Sequence, residues 1–162
     1  DGSAAVLVEG KSTGTLKLDL EVFHSDLATV GRNDMAWSIG DLGFEMKLSS
    51  FVPDIIRAGI GSLSKTLMKK LGDARANHFA IHPGGKKILE VIEDELGLKK
   101  ESNRAAYQVL KNFGNMSSPT VLFVLEEVIS KLNEGNINEN ILSFAFGPGL
   151  TMESMILKIR GI

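Results

Sequence analysis

The stretch His78-Phe79-Ala80-Ile81-His82-Pro83-Gly84-Gly85-Lys86-Lys87-Ile88-Leu89-Glu90-Val91-Ile92-Glu93-Asp94-Glu95-Leu96 decides how the chain is read. His78 to Ile81 is a short apolar run of strand length, stopped by Pro83-Gly84-Gly85. Beyond the break the period changes. Ile88, Val91, Ile92 and Leu96 recur at spacings of three and four on one side of a helix, with Glu90, Glu93 and Asp94 on the other. Gly97 supplies the stop. Strand, glycine-rich break and amphipathic helix together form the repeating unit of an α/β protein.

Upstream, Ile56, Ile60, Leu63, Leu67 and Leu71 mark the apolar stripe of another helix, with Pro53 in its first turn and Gly72 at its C-cap. Before it the period is two. Phe44, Met46 and Leu48 alternate with Glu45 and Lys47, and Leu16, Leu18, Leu20 and Val22 alternate with Lys17, Asp19 and Glu21. Ser3 to Glu9 is a shorter apolar run, and Gly10 to Gly14 is a turn, so these predict a hairpin with the strand that follows. Downstream, a helix is predicted from the cap Ser102 through Ala106, Val109, Leu110 and Phe113 to Gly114. A further one starts after Ser117-Ser118-Pro119; its first turns, Val121 to Leu125, are apolar nearly all round, which predicts burial inside a layered fold. Ile141–Phe146 and Leu150–Ile159 close the chain as strands bent at Gly147-Pro148-Gly149. The order strands, helix, strand, helices, strands describes an α/β sheet covered by helices.

The 162 residues suffice for one domain or two small ones, and 43% of them are apolar. Eighteen basic against twenty acidic residues leave a formal charge of −2, without the basic excess that draws nucleic acid. No apolar run approaches the roughly 18 residues that a membrane span needs. The chain opens Asp1-Gly2-Ser3 without a secretory signal, so a cytoplasmic location is expected. Zero cysteines exclude disulfides, thiolate metal sites and a cysteine nucleophile within this chain.

Several residues could carry chemistry. His82 sits where a strand ends in Pro83-Gly84-Gly85, a position from which side chains of α/β proteins reach into a cleft. Asn115 holds a similar place in Gly114-Asn115-Met116-Ser117-Ser118, before the apolar helix. Gly147-Pro148-Gly149 lets backbone approach a ligand without a Cβ in the way. Taken singly, each has a plain structural reading: a strand-end histidine, a helix cap, a turn. His78 and His82 are four apart, but in a strand rather than on a helix and without carboxylates at ligand spacing, so no metal is expected. No P-loop and no G-x-G-x-x-G is present. Lys86-Lys87 reads as solvated charge that could neutralise phosphate beside the His82 loop.

In combination the segments are specific. Ala80-Ile81-His82-Pro83-Gly84-Gly85, then Phe113-Gly114-Asn115-Met116-Ser117-Ser118, then Phe146-Gly147-Pro148-Gly149-Leu150-Thr151 resemble the carboxyl-terminal half of type III polyketide synthases, the chalcone synthase-like family. The opening Asp1-Gly2-Ser3-Ala4-Ala5-Val6 is similar to that family's Gly-Asp-Gly-Ala-Ala stretch, so the resemblance covers nearly the whole chain. It implies a thiolase-like fold with a mixed five-stranded sheet. Residues 1–32 would be the final strands of the first half and residues 33–162 the second half. Family members are about twice this long and use a Cys-His-Asn triad; His82 matches the histidine and Asn115 the asparagine, while the cysteine would belong to a missing amino-terminal half.

The resemblance further implies decarboxylative Claisen condensation of malonyl-CoA onto a starter acyl-CoA, with coenzyme A thioesters as substrates, no other cofactor, and a homodimer as the full-length assembly. The chain itself, lacking the cysteine, would be inactive alone. Phe44 resembles the family's gatekeeper phenylalanine, and Gly84, Gly85 and Lys87, with Gly147, Pro148 and Gly149, lie where substrate and its pantetheine arm would pass. The chain departs from the family pattern at Ala145, which replaces the first glycine of the usual Gly-Phe-Gly-Pro-Gly loop, and at Pro119 and Thr120, which replace small residues after Ser-Ser. A ketoacyl synthase III-like condensing enzyme and a noncatalytic assembly module are the alternative readings; Gly-Asn-Met-Ser-Ser suits the first of these less well.

Overall fold

The apolar stripe of helix α1 (Val52–Lys70) forms the first layer of the core. Ile56, Ile60, Leu63 and Leu67 are all buried, each contributing about 2 kcal/mol of apolar burial. Asp54 lies in the first turn and Lys69 and Lys70 in the last, each sign matched to the helix dipole. The computed structural model describes residues 2–11, 14–70, 72 and 75–161. Asp1 of the opening stretch, Ser12 and Thr13 of the predicted turn, and Leu71 of the stripe lie outside the described residues.

The main sheet comprises β1 (Lys17–Leu27), β4 (His78–Ile81), β5 (Asn140–Gly147) and β6 (Thr151–Gly161) in the order β1-β6-β5-β4. β4 and β5 run parallel and the other pairs antiparallel, so the sheet is mixed. Helix α1 packs on β1 and β6, with α2 (Lys86–Leu96) beside it; α3 (Arg104–Phe113) and α4 (Pro119–Ile129) pack on β4, and α4 also on β5. Consecutive residues Ile141, Leu142, Ser143 and Phe144 are all buried, as a strand covered on both faces requires. The α/β layered reading thus describes the molecule.

Several expectations change in detail. The main sheet has four strands among the described residues rather than five. β2 (Met35–Gly40) and β3 (Gly43–Leu48) pair only with each other and form a separate ribbon. The predicted hairpin does not form: residues 3–9 adopt no strand, and β1 takes its partner from the far end of the chain, β6. Period-two alternation announces a strand but carries no information about its neighbour. Nor does the alternating face of β1 stay in phase. Register shifts at Lys17/Leu18 and Leu20/Val22 leave Leu18 and Val22 against the core and Leu20 exposed. Helix α3 begins at Arg104, after a 3-10 turn over Lys100–Asn103, rather than from a cap at Ser102. In α4, Val124, Leu125 and Val128 are buried while residues 121–123 are only half-buried, so its all-round apolar start is incompletely covered within this chain.

Candidate active site

Because β4 and β5 are parallel, the loops that follow them leave the same edge of the sheet. His82 extends β4 by one residue, its amide donating to the Phe144 carbonyl at 2.8 Å. The Gly84 amide then turns back to the His82 carbonyl at 3.0 Å. A Cβ on Gly84 would stand 2.9 Å from Ile88 Cδ1 and 4.0 Å from His82 Nε2, so the imidazole packs against this glycine. His82 is 7% exposed. Burial pushes its pKa below the ordinary 6.5, so the ring is neutral at neutral pH, with one N–H donor and one acceptor.

Asn115 arrives from the other direction. Helix α3 ends at Phe113, and Gly114 turns the chain at φ 73°, in the region that glycine tolerates. Asn115 Oδ1 accepts from the Ser117 amide at 2.9 Å, which fixes the orientation of the carboxamide. Its Nδ2 donates to the Gly84 carbonyl at 3.2 Å. Gly84 is therefore the common neighbour of the His82 ring and the Asn115 carboxamide. One Nδ2 hydrogen is spent on that carbonyl, and the second is left to donate elsewhere.

Gly147 ends β5, and Pro148 and Gly149 follow it at the same edge. Thr151 Oγ1 donates to the Pro148 carbonyl at 3.0 Å and Gly149 takes φ 77°. Gly85 caps α2 in extended conformation, with open space where a Cβ would point. Lys87 is exposed in the first turn of α2, next to Lys86, whose ammonium lies 3.4 Å from Glu90. Phe44 is 77% exposed on the ribbon, edge-to-face with Trp37 at 6.4 Å between ring centroids. The ribbon packs through β2 on residues 148–150, which places it beside the third loop. The structure thus joins His82, Gly84 and Asn115, and leaves Phe44 and Lys87 facing outward.

His78 and His82 stand at opposite ends of β4, roughly 13 Å apart at about 3.3 Å per residue. His78 Nε2 instead meets Glu139 Oε2 at 2.7 Å, away from His82.

Two contributions to this site escape sequence reasoning. Thr120, fully buried, accepts from the Met116 amide at 2.8 Å and donates to the Ser117 carbonyl at 2.7 Å, whereas Ser118, at the N-cap position of α4, makes no side-chain cap bond. A threonine next to Pro119 at a helix start was the available signal. The opening segment also returns to the site: a Cβ on Gly2 would stand 2.6 Å from Met116 Sδ, and residues 3–6 form a cleft of about 330 Å³ with Leu122, Phe123 and Ile129 of α4.

Residues 21–160 match the family "Chalcone and stilbene synthases, C-terminal domain". The chain is 32% identical over 168 residues to Polyketide synthase 37 of Dictyostelium discoideum, an alignment covering 98% of this chain and 6% of that protein. Among solved structures it is similar to the C-terminal type III polyketide synthase domain of Steely1, a type I/III hybrid from Dictyostelium. The TM-score is 0.82 and the identity 28%, over 93% of this chain and 43% of that one. A fungal type III polyketide synthase, ORAS, gives a TM-score of 0.79 at 29% identity, over 88% and 41% of the two chains. The chain therefore spans less than half the length of each of these relatives. With their thiolase-like fold and 140 matched residues spanning 21–160, which include both loops of the site, the chain belongs to the chalcone and stilbene synthase family and corresponds to its C-terminal domain.

Proposed function

We propose that this chain supplies the oxyanion-stabilising pair of a type III polyketide synthase, the rest of the enzyme being an amino-terminal half that brings the nucleophilic cysteine. When malonyl-CoA loses carbon dioxide, the C–C bond to the carboxylate breaks and its electron pair becomes an enolate with negative charge on the thioester oxygen. The His82 imidazole N–H and the free Asn115 amide hydrogen would stabilise that oxygen without reorganising. The enolate carbon then attacks the acyl group held on the cysteine of the other half, forming a C–C bond as thiolate leaves. A neutral imidazole suits the donor role, and asparagine donates without titrating.

The observation that carries this reading is the shared neighbour Gly84, against which the ring packs and to whose carbonyl the carboxamide is bonded. The passage of coenzyme A thioesters along Gly84, Gly85 and Lys87, and of the growing chain past Phe44 and Gly147-Pro148-Gly149, belongs to the same proposal. An amino-terminal half as partner is supported by the half-length match to relatives and by the unpaired apolar residues Val6, Leu7 and Val8, exposed at 63%, 83% and 70%. Division near residue 32, homodimerisation and a cytoplasmic location are parts of the proposal as well.

In the enzyme assembled with a cysteine-bearing amino-terminal half, His82→Ala and Asn115→Ala should each lower malonyl-CoA decarboxylation by about 10²–10³-fold. Undiminished turnover in either variant would end the proposal. The isolated chain, having no cysteine, should show no covalent mass increase with an acyl-CoA.

A further inference from the structure

We infer that Thr120 is a positioning residue for Asn115, a role that rests on the proposed condensing chemistry. The hydroxyl of this fully buried side chain uses both its capacities. It accepts the Met116 amide at 2.8 Å and donates to the Ser117 carbonyl at 2.7 Å. Ser117 is the residue whose amide, at 2.9 Å, holds Asn115 Oδ1. It is also held at φ 65°, a left-handed conformation that a non-glycine residue adopts only when its surroundings impose it. Thr120 grips the backbone on both sides of the Met116–Ser117 peptide and so imposes it.

The linkage runs onward. Ser117 orients the carboxamide oxygen, the carboxamide nitrogen reaches the Gly84 carbonyl at 3.2 Å, and Gly84 abuts the His82 ring. Rotation of the Ser117 peptide would release Asn115 Oδ1 and free the carboxamide to turn its donor away. Ser118 cannot substitute, since it makes no cap bond to the helix.

Thr120→Val keeps the shape and removes the hydroxyl; Thr120→Ser keeps the hydroxyl and removes the methyl. In the assembled enzyme, Thr120→Val should lower kcat for malonyl-CoA decarboxylation by about ten- to a hundredfold at unchanged KM, as misplacement of a reacting group does. Thr120→Ser should stay within about twofold of the parent, because the donor and acceptor remain. In the isolated chain, the Ser117 backbone amide proton, which Asn115 Oδ1 accepts, should exchange faster with solvent in Thr120→Val and not in Thr120→Ser. Should the valine variant fail to fold by circular dichroism, Thr120→Ala carries the same comparison. Unchanged kcat in a folded hydroxyl-less variant overturns the inference, as does unchanged exchange at the Ser117 amide. If His82→Ala also leaves turnover intact, it is the proposed chemistry that falls, and the exchange measurement alone decides whether the latch exists.

Discussion

Burial of the His82 ring affects stability as well as chemistry. Its pKa in the folded chain lies below the ordinary 6.5, chiefly through desolvation, so between those two values the unfolded chain binds the extra proton. Stability from this residue is therefore fully present above about pH 6.5 and is lost as the pH falls through the folded pKa. Chemical denaturation as a function of pH should show that decline, and His82→Gln should remove it. A decline that persists in the variant would contradict the assignment. Glu139 does not confuse the measurement. Its carboxyl is held below the ordinary 4.5 by hydrogen bonds from Asn136 and then His78, so its contribution is lost only below that value. The loops that carry His82 and Asn115 could be placed from sequence, because each is a short segment punctuated by proline or glycine. Thr120 beside Pro119 marked a helix start, but its partners could not be read, because they depend on a left-handed serine that no spacing rule anticipates.

Among the elements, α2 and α3 are joined by a buried carboxylate. Glu93, 8% exposed, accepts from Asn103 Nδ2 at 2.9 Å and from the Tyr107 hydroxyl at 3.0 Å. Burial and the bond to Glu93 raise the Tyr107 pKa far above its ordinary value, so the phenol stays protonated and keeps donating. Spacing places Glu93 on the side of its helix opposite the apolar residues, since periodicity records apolar positions and is blind to a donor brought by another helix. Tyr107→Phe should cost about 1–3 kcal/mol in urea denaturation, and Asn103→Ala at least as much, since the carboxylate stays buried with fewer donors. A loss below about 0.5 kcal/mol for both would show that water replaces them. Leu63→Ala, deleting a fully buried side chain of α1, should cost about 2–5 kcal/mol in the same assay. For β1 the sequence identified the strand but not the partner. Arg160 of β6 reaches Asp19 at 2.7 Å and Glu21 at 3.0 Å, but exposed ion pairs of this kind add little, and the backbone ladder decides the pairing.

For the molecule as a whole, the separate ribbon is the feature that most needs a partner. Its cross-strand pairs Met35/Leu48, Trp37/Met46 and Ile39/Phe44 put six apolar side chains on one face, and Ile39 is 85% exposed. Contiguous apolar surface of this kind marks an interaction site. The isolated chain should bind a hydrophobic dye and self-associate, as measured by fluorescence and light scattering. The paired substitutions Ile39→Lys and Phe44→Lys should lower both signals without lowering the melting temperature. A compact monomer with no dye binding would contradict the docking role. Among the described residues no helix is long and apolar enough to cross a membrane.

Local spacing determined much of this protein: the stripe of α1, the strand His78–Ile81 with its proline-glycine stop, and the two motifs that carry His82 and Asn115. Such features depend on side chains a few residues apart, so a linear reading captures them. Tertiary structure alone decided that β1 pairs with β6, that 35–48 stand apart from the sheet, that Glu93 is buried and that Thr120 holds the Asn115 loop. Each of these depends on which distant backbone group or side chain satisfies a hydrogen bond or covers an apolar face, and that choice is made only when the whole chain packs.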